Sequence, residues 1–267
     1  MTRLPRRIVC LSAETVETLY LLGEEARIVG VTGYAVRPAR VRREKPRVGA
    51  FSSADLPRIL ALDPDLVLVY SDIQADIAAA LIRAGVAVHA FNQRDIAGIL
   101  AMIATLGALV GAEARAAALI ARLEAGIEAV AAPRRGLPPL PVYVEEWDRP
   151  MIAGIGWISE LVALAGGRDI FADRARAATA RERIVTDAEV IARAPELIIA
   201  SWCGRRVRPE RIRDRPGWQA VPAVRAGRIA EIRAPILLAP GPAVLTDGLA
   251  AVAQAIDAAR AGAEAAA

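Results

Sequence analysis

Aromatic residues make up only 4% of this 267-residue chain, cysteine occurs twice, and histidine occurs once. With Cys10 in a strand-like run and Cys203 in a late loop, neither a disulfide framework nor a multi-cysteine zinc site can be built. His89 ends an apolar run and reads as a packed side chain rather than a metal ligand, so no metal site is expected. Lys45 is the only lysine, so the formal charge of +4 rests on arginines dispersed among acids. No basic run carries the interleaved aromatics of a single-strand nucleic-acid surface, which makes nucleic acid an unexpected partner. The uncharged run 96–112 falls just short of a membrane span and is rich in alanine and glycine, which predicts a buried helix and no membrane insertion. The first strand-like run starts within a few residues of Met1, leaving no room for a secretory signal. The expected location is therefore cytoplasmic as written, and periplasmic if a signal precedes Met1.

A content of 55% hydrophobic residues is enough for two cores of ordinary domain size. Strand-like runs at 8–11, 28–31, 66–69 and 86–90 alternate with helical stretches, and the alternation resumes with 142–144, 197–200 and 229–232. That is the pattern of mostly parallel sheets covered by helices, an α/β class. Between the two series, 96–112 and 113–132 read as consecutive helices. The second places Leu119, Ile120, Leu123, Ile127 and Val130 on one face and would span roughly 30 Å. The predicted organisation is an α/β lobe over 1–94, a helical connector over 95–132 and a second α/β lobe over 133–267.

Ligands of open α/β sheets sit at the carboxyl ends of strands. Tyr34, Tyr70, Phe91, Trp147 and Trp202 each follow a strand-like run within a few residues, which offers flat apolar faces to a flat ligand such as a corrin or porphyrin. For each ring the alternative is closure of the core edge. Asp72 and Gln74 follow Tyr70, and Glu145, Glu146 and Asp148 surround Trp147, as candidate partners for polar side arms or as a solvated rim. The segment Gly154-Ile155-Gly156-Trp157-Ile158-Ser159 lacks the third glycine of a dinucleotide fingerprint and reads as a tight turn letting backbone approach a ligand, with Trp157 as a cleft wall. Arg205 and Arg206 follow Cys203, and their forks suit anionic groups. No nucleophile elbow, Walker A loop or zinc motif is present.

The block Ile8-Val9-Cys10-Leu11-Ser12-Ala13-Glu14-Thr15, a helix ending in Leu22-Gly23, Arg27-Ile28-Val29-Gly30-Val31-Thr32 and the run 59–68 containing Leu62-Asp63-Pro64-Asp65 follow one another in a telling order. Later come the run 157–167 ending in Gly166-Gly167, then Trp218, Val224-Arg225-Ala226-Gly227-Arg228-Ile229 and Pro240-Gly241-Pro242. Together, over nearly the whole chain, they resemble the cobalamin- and siderophore-binding class of ABC-transporter substrate-binding proteins, the helical-backbone metal receptors. The chain is most similar to the cobalamin-binding branch. The resemblance implies two Rossmann-like lobes joined by one long rigid helix, with the ligand in a cleft between them.

The expectation is thus a non-catalytic binding protein with no obligatory cofactor. Its ligand is expected to be cobalamin or a related corrinoid, with haem and ferric siderophores as the other candidates, contacted by Tyr34, Tyr70, Asp72, Glu145, Trp147, Trp157, Trp202 and Arg205. The alternatives are a cytoplasmic enzyme or chaperone acting on a tetrapyrrole through Glu145, Glu146 or Asp72, and a ligand-dependent sensor. In secreted members of the class a glutamate on each lobe docks the permease. Here the resemblance maps those positions to Pro57 and Ala188, which form no ion pair, so permease docking is not expected. Asp55 and Glu189 are the nearest carboxylates.

Overall fold

The computed structural model describes residues 4–264. The chain divides into two compact units, 1–93 with 97–123, and 94–96 with 124–267. In the first unit β1 (Ile8–Cys10), β2 (Ile28–Thr32), β3 (Arg47–Gly49), β4 (Leu66–Tyr70) and β5 (Val88–Phe91) form one sheet in the order β3-β2-β1-β4-β5. All four pairings are parallel. Parallel strands are covered on both faces, which is why β1 and β4 are unbroken apolar runs with every residue buried. The order reverses between β1 and β4, the place where such sheets open a crevice at their carboxyl edge.

The turns are chemically explicit. Asp65 accepts the backbone N–H groups of Arg6 at 2.7 Å and Arg7 at 2.9 Å, tying the entrance of β1 to that of β4. The helix Leu56–Ala61 is capped by Asp55, whose carboxylate accepts from Arg58 N at 3.0 Å. After β1 the helix Ala13–Leu21 begins at Ser12, but the Ser12 hydroxyl makes no cap bond and lies 3.1 Å from Thr15 Oγ1 instead.

The expected pair of consecutive helices is present as Ile96–Val110 and Glu113–Ala131. They are not a body of their own. Residues 97–123 belong to the first unit and 124 onwards to the second, because Ile99, Met102, Ile103, Leu106 and Val110 are buried in the first unit's packing. Gly107 makes the helix pair possible, since a Cβ there would collide with that of Ala116. Along Glu113–Ala131, Ala116, Leu119 and Leu123 are buried while Arg115, Arg122, Glu124 and Glu128 are exposed, as the spacing predicts.

In the second unit β6 (Leu140–Asp148), β7 (Met151–Ala153), β9 (Leu197–Ala200) and β10 (Ile229–Glu231) run in the order β10-β9-β6-β7, and β8 (Gly167–Asp169) pairs with the start of β6. Only β7 is antiparallel. Helices Gly156–Leu164 and Asp187–Arg193 lie between the strands of this unit in sequence. The core packs Tyr143 edge-on to Phe171 at 5.7 Å and to Trp218 at 6.2 Å.

Leu123→Ala is expected to lower stability by about 2 to 5 kcal/mol, the cost of deleting a buried leucine side chain. Chemical denaturation checks this, and a change below about 1 kcal/mol would show that this helix face is not a packed one.

Candidate functional site

At the carboxyl edge of the first sheet three aromatic rings form a row. Tyr34, just past β2, is 46% exposed. Its ring meets Phe51, just past β3, edge-on at 6.4 Å, and Phe51 meets Tyr70 at 6.3 Å. Tyr70 is buried at the end of β4, with its hydroxyl donating to Gln93 O at 3.1 Å. Phe51 is the member that sequence reasoning missed, because the three-residue β3 is embedded in an arginine- and proline-rich stretch. The apolar residues at 48–51 were the available signal.

The row is braced from below. Gln74 Nε2 donates to Leu11 O at 2.9 Å and Phe51 O at 2.7 Å, and its Oε1 accepts from Tyr70 N at 2.9 Å. This buried amide joins the ends of β1, β3 and β4, and both of its N–H donors are spent on the chain. Ser71, directly after β4, has φ +56 and ψ −174, a conformation that costs of order 1 to 3 kcal/mol in a non-glycine residue and clusters at functional sites. Asp72 follows it in an exposed turn.

The helix that follows β1 holds a carboxyl that the sequence reading did not single out. Glu14 lies in the first turn of the helix after β1, is only 3% exposed, and its Oε1 has no hydrogen-bond partner among the described residues. Burial pushes its pKa up to about 7. The backbone N–H and the Ser12 hydroxyl oppose the shift, and the like charge of Glu17 adds to it.

The second unit treats its acids differently. Glu145 is wholly buried and saturated: Arg215 donates through Nη1 to Oε2 at 2.6 Å and through Nη2 to Oε1 at 2.9 Å. Trp202 Nε1 adds a bond of 3.0 Å and Tyr143 Oη one of 3.2 Å. Glu145 and Trp202, both expected at a ligand, therefore belong to the core of this unit, where Trp202 is 1% exposed. Glu146 accepts from Ile155 N at 2.7 Å and Arg183 Nη1 at 2.8 Å, and burial raises its pKa. Asp148 Oδ2 lies 2.6 Å from Arg211 Nη2 without hydrogen-bond alignment. Trp147 and Arg205, by contrast, come together at the surface. The Arg205 guanidinium sits 4.7 Å from the half-buried indole's centroid, and Trp147 Nε1 donates to Arg149 O at 2.8 Å. Arg206 lies 3.7 Å from Glu231, and Cys203 is exposed nearby in sequence.

Trp157 is not a wall of an open site. It is buried, with its indole N–H donating to Leu237 O at 3.0 Å. The backbone that approaches Gly156 is the chain's own, for a Cβ at 156 would collide with Arg94 O, which accepts the Trp157 N–H at 3.0 Å. His89 stacks on Phe91 at 4.4 Å in β5, and burial lowers its pKa. No group of three or more potential metal-ligating side chains occurs among the described residues. A groove of about 540 Å³ in the second unit is lined by Ile127, Ala131, Arg134, Arg135, Glu160 and Leu164 among others. Its charged groups are already engaged, Arg134 by Asp257, Arg135 by Glu128, and Glu160 by Ile96 N.

Pro57 and Ala188 are both exposed second residues of their helices. The neighbouring carboxylates are committed locally. Asp55 caps its own helix. Glu189 closes a capping box with Thr186 at 2.9 Å, and the Thr186 backbone and hydroxyl, helped by the paired Arg174, hold its carboxyl below the usual range. No helix among the described residues is long and apolar enough to cross a membrane.

Two parallel-rich α/β sheets, one with an aromatic row at its carboxyl edge, are the framework of a two-lobed solute-binding protein. Solved structures bear this fold out. A periplasmic haem-binding protein of Roseiflexus sp. RS-1 superposes with a TM-score of 0.80 at 24% identity over 94% of this chain and 98% of that one. The periplasmic vitamin B12 binding protein of Vibrio cholerae does so with 0.76 at 21% identity over 96% and 98%. Residues 8–236 match the periplasmic binding protein family, and the chain belongs to it. A cobalamin-binding protein of Halobacterium salinarum is 30% identical over 173 residues, 63% of this chain and 47% of that protein. The match thus spans about half the length of that relative.

Two outcomes follow for stability. Arg215→Met should destabilise by about 3 to 5 kcal/mol, because it strands the buried Glu145 charge, and a loss within experimental error in denaturation would show the fork to be dispensable. Glu14 keeps its proton in the folded chain up to about pH 7 but loses it near pH 4.5 when unfolded. The folded state then binds more protons between those values, so Glu14 lowers stability as pH rises through that window. Glu14→Gln should therefore stabilise the chain above pH 7 and leave it unchanged below pH 4.5. Denaturation curves at the two extremes check the sign.

Proposed function

We propose that this chain is a non-catalytic binding protein for a flat metal chelate, cobalamin or a related corrinoid. The observation that carries the reading is the row Tyr34, Phe51, Tyr70 around the strand-order reversal of the first sheet, a set of apolar faces suited to a disc. The second unit offers Trp147 with Arg205 stacked on it. The cobalamin-binding Halobacterium relative supports the same ligand class. Against an acid–base enzyme stands the engagement of two of the three candidate carboxylates, Glu145 by Arg215 and Glu146 by Arg183.

The chain does not feed a permease on this reading and acts in the cytoplasm. Pro57 and Ala188 present no charge at the two helix starts, and Asp55 and Glu189 would have to give up their caps to replace them. Recovery of an ABC permease with the native protein, or fractionation into the periplasm, would overturn this.

Cobinamide is expected to quench tryptophan fluorescence on binding. Tyr34→Ala and Trp147→Ala should each weaken binding by about 1 to 3 kcal/mol, as at a hot spot, without loss of fold. Trp202→Ala should cost stability instead, since its ring is core. Absence of affinity for any corrinoid, with tight binding of haem or a ferric siderophore, would replace the ligand. Absence of affinity for all three would sink the reading.

A further inference from the structure

The carboxyl edge of the first sheet leaves one polar side chain unexplained by folding. Glu14 follows β1, the strand between β2, which leads to Tyr34, and β4, which ends in Tyr70. Side chains in the first turn of a helix tilt towards its N-terminus, which here is the edge bearing the rings. The carboxyl is buried, one of its oxygens is unpartnered among the described residues, and the helix's own N-cap residue makes no side-chain cap bond. An unpartnered buried polar atom costs folding free energy, and packing gives Glu14 no return for it.

The charged surroundings do not neutralise it. Glu17, one turn on, is held by Arg37 Nε at 2.8 Å. The Cys10 thiol on β1 is pushed up to about 12 by burial and carries no charge. Lys45, which acts on Cys10, spends its ammonium on the carbonyls of Glu25 at 2.7 Å and Ile28 at 2.8 Å.

We infer that Glu14 is a specificity-determining residue that reads the side arms of the bound chelate, accepting carboxamide arms in either protonation state and carboxylate arms only while it is itself protonated. This rests on the reading of the chain as a chelate-binding protein. A protonated carboxyl offers one O–H donor and one carbonyl acceptor, which pair with a carboxamide or share a proton with a carboxylate. Once ionised it still accepts from a carboxamide N–H but repels a carboxylate. Its value near neutrality sets the change of selectivity close to pH 7.

The test uses the whole chain, wild type and Glu14→Gln, titrated with cobinamide as the carboxamide-armed probe and haem as the carboxylate-armed one. Tryptophan quenching is read one pH unit below and one above the carboxyl's value of about 7. Wild-type affinity for haem should fall about tenfold across that interval, following the protonated fraction of Glu14, while affinity for cobinamide changes by less than about twofold. Glu14→Gln, a neutral side chain of the same shape, should abolish the step for haem and keep cobinamide binding. A near-ultraviolet dichroism spectrum like the wild type's confirms that the variant is folded. A haem step that persists in Glu14→Gln, or the same step for both chelates in the wild type, overturns the inference and leaves the functional reading intact. Binding of neither chelate by the wild type overturns both.

Discussion

A parallel strand needs cover on both faces and a crossover to reach its neighbour, and this requirement governs both units. It commits nearly every side chain of β1, β4 and β9 to packing. It also leaves the carboxyl edge as the place where the chain turns before its next helix. In the first unit the strand order reverses there, so the segments after β1 and β4 diverge, and the rings run from the buried Tyr70 through Phe51 to the exposed Tyr34. Gln74 makes that divergence stable by meeting three backbone groups that separated strands would otherwise leave wanting.

The same edge in the second unit is filled rather than opened. Glu145, Arg215, Trp202 and Tyr143 form a closed polar set inside the aromatic core, and both guanidinium nitrogens that face Glu145 are used. Ionised groups are expensive to bury, and fork geometry with further donors is what makes such a pair tolerable. What remains at the surface of that unit is Trp147 with Arg205, an indole face already carrying a cation. The two units therefore offer unlike chemistry, one edge with a row of rings that ends in the exposed Tyr34 and one with a ring covered by charge.

This difference explains what was legible in the sequence. The strands at 8–10, 66–70 and 197–200 are continuous apolar runs, and the helix 113–131 carries a 3.6-residue period, so the fold class is legible from pattern, whereas the short strands β3, β7 and β8 are not. Strand β3 is three residues long and set among arginines, so it and Phe51 are hidden. Position after a strand also fails to distinguish a ring that faces a ligand from one that faces a core. Tyr34 and Trp202 occupy equivalent places in the sequence pattern, yet one is half exposed and the other is sealed by Glu145 and the core around it. That outcome depends on Arg215, many residues away, and no local pattern announces it.

Glu14 and Glu145 make the point in energetic terms. Both are buried glutamates, Glu14 in the helix that follows β1 and Glu145 within β6. Glu145 meets a guanidinium, an indole and a phenol, and its burial is accounted for by partners from the same unit. Glu14 meets a hydroxyl, its helix N-terminus and another acid, so that burial drives it towards the neutral form instead. A carboxyl that folding leaves neutral and incompletely bonded is a donor and acceptor still to be used, and on the inference drawn above that partner is a side arm of the ligand.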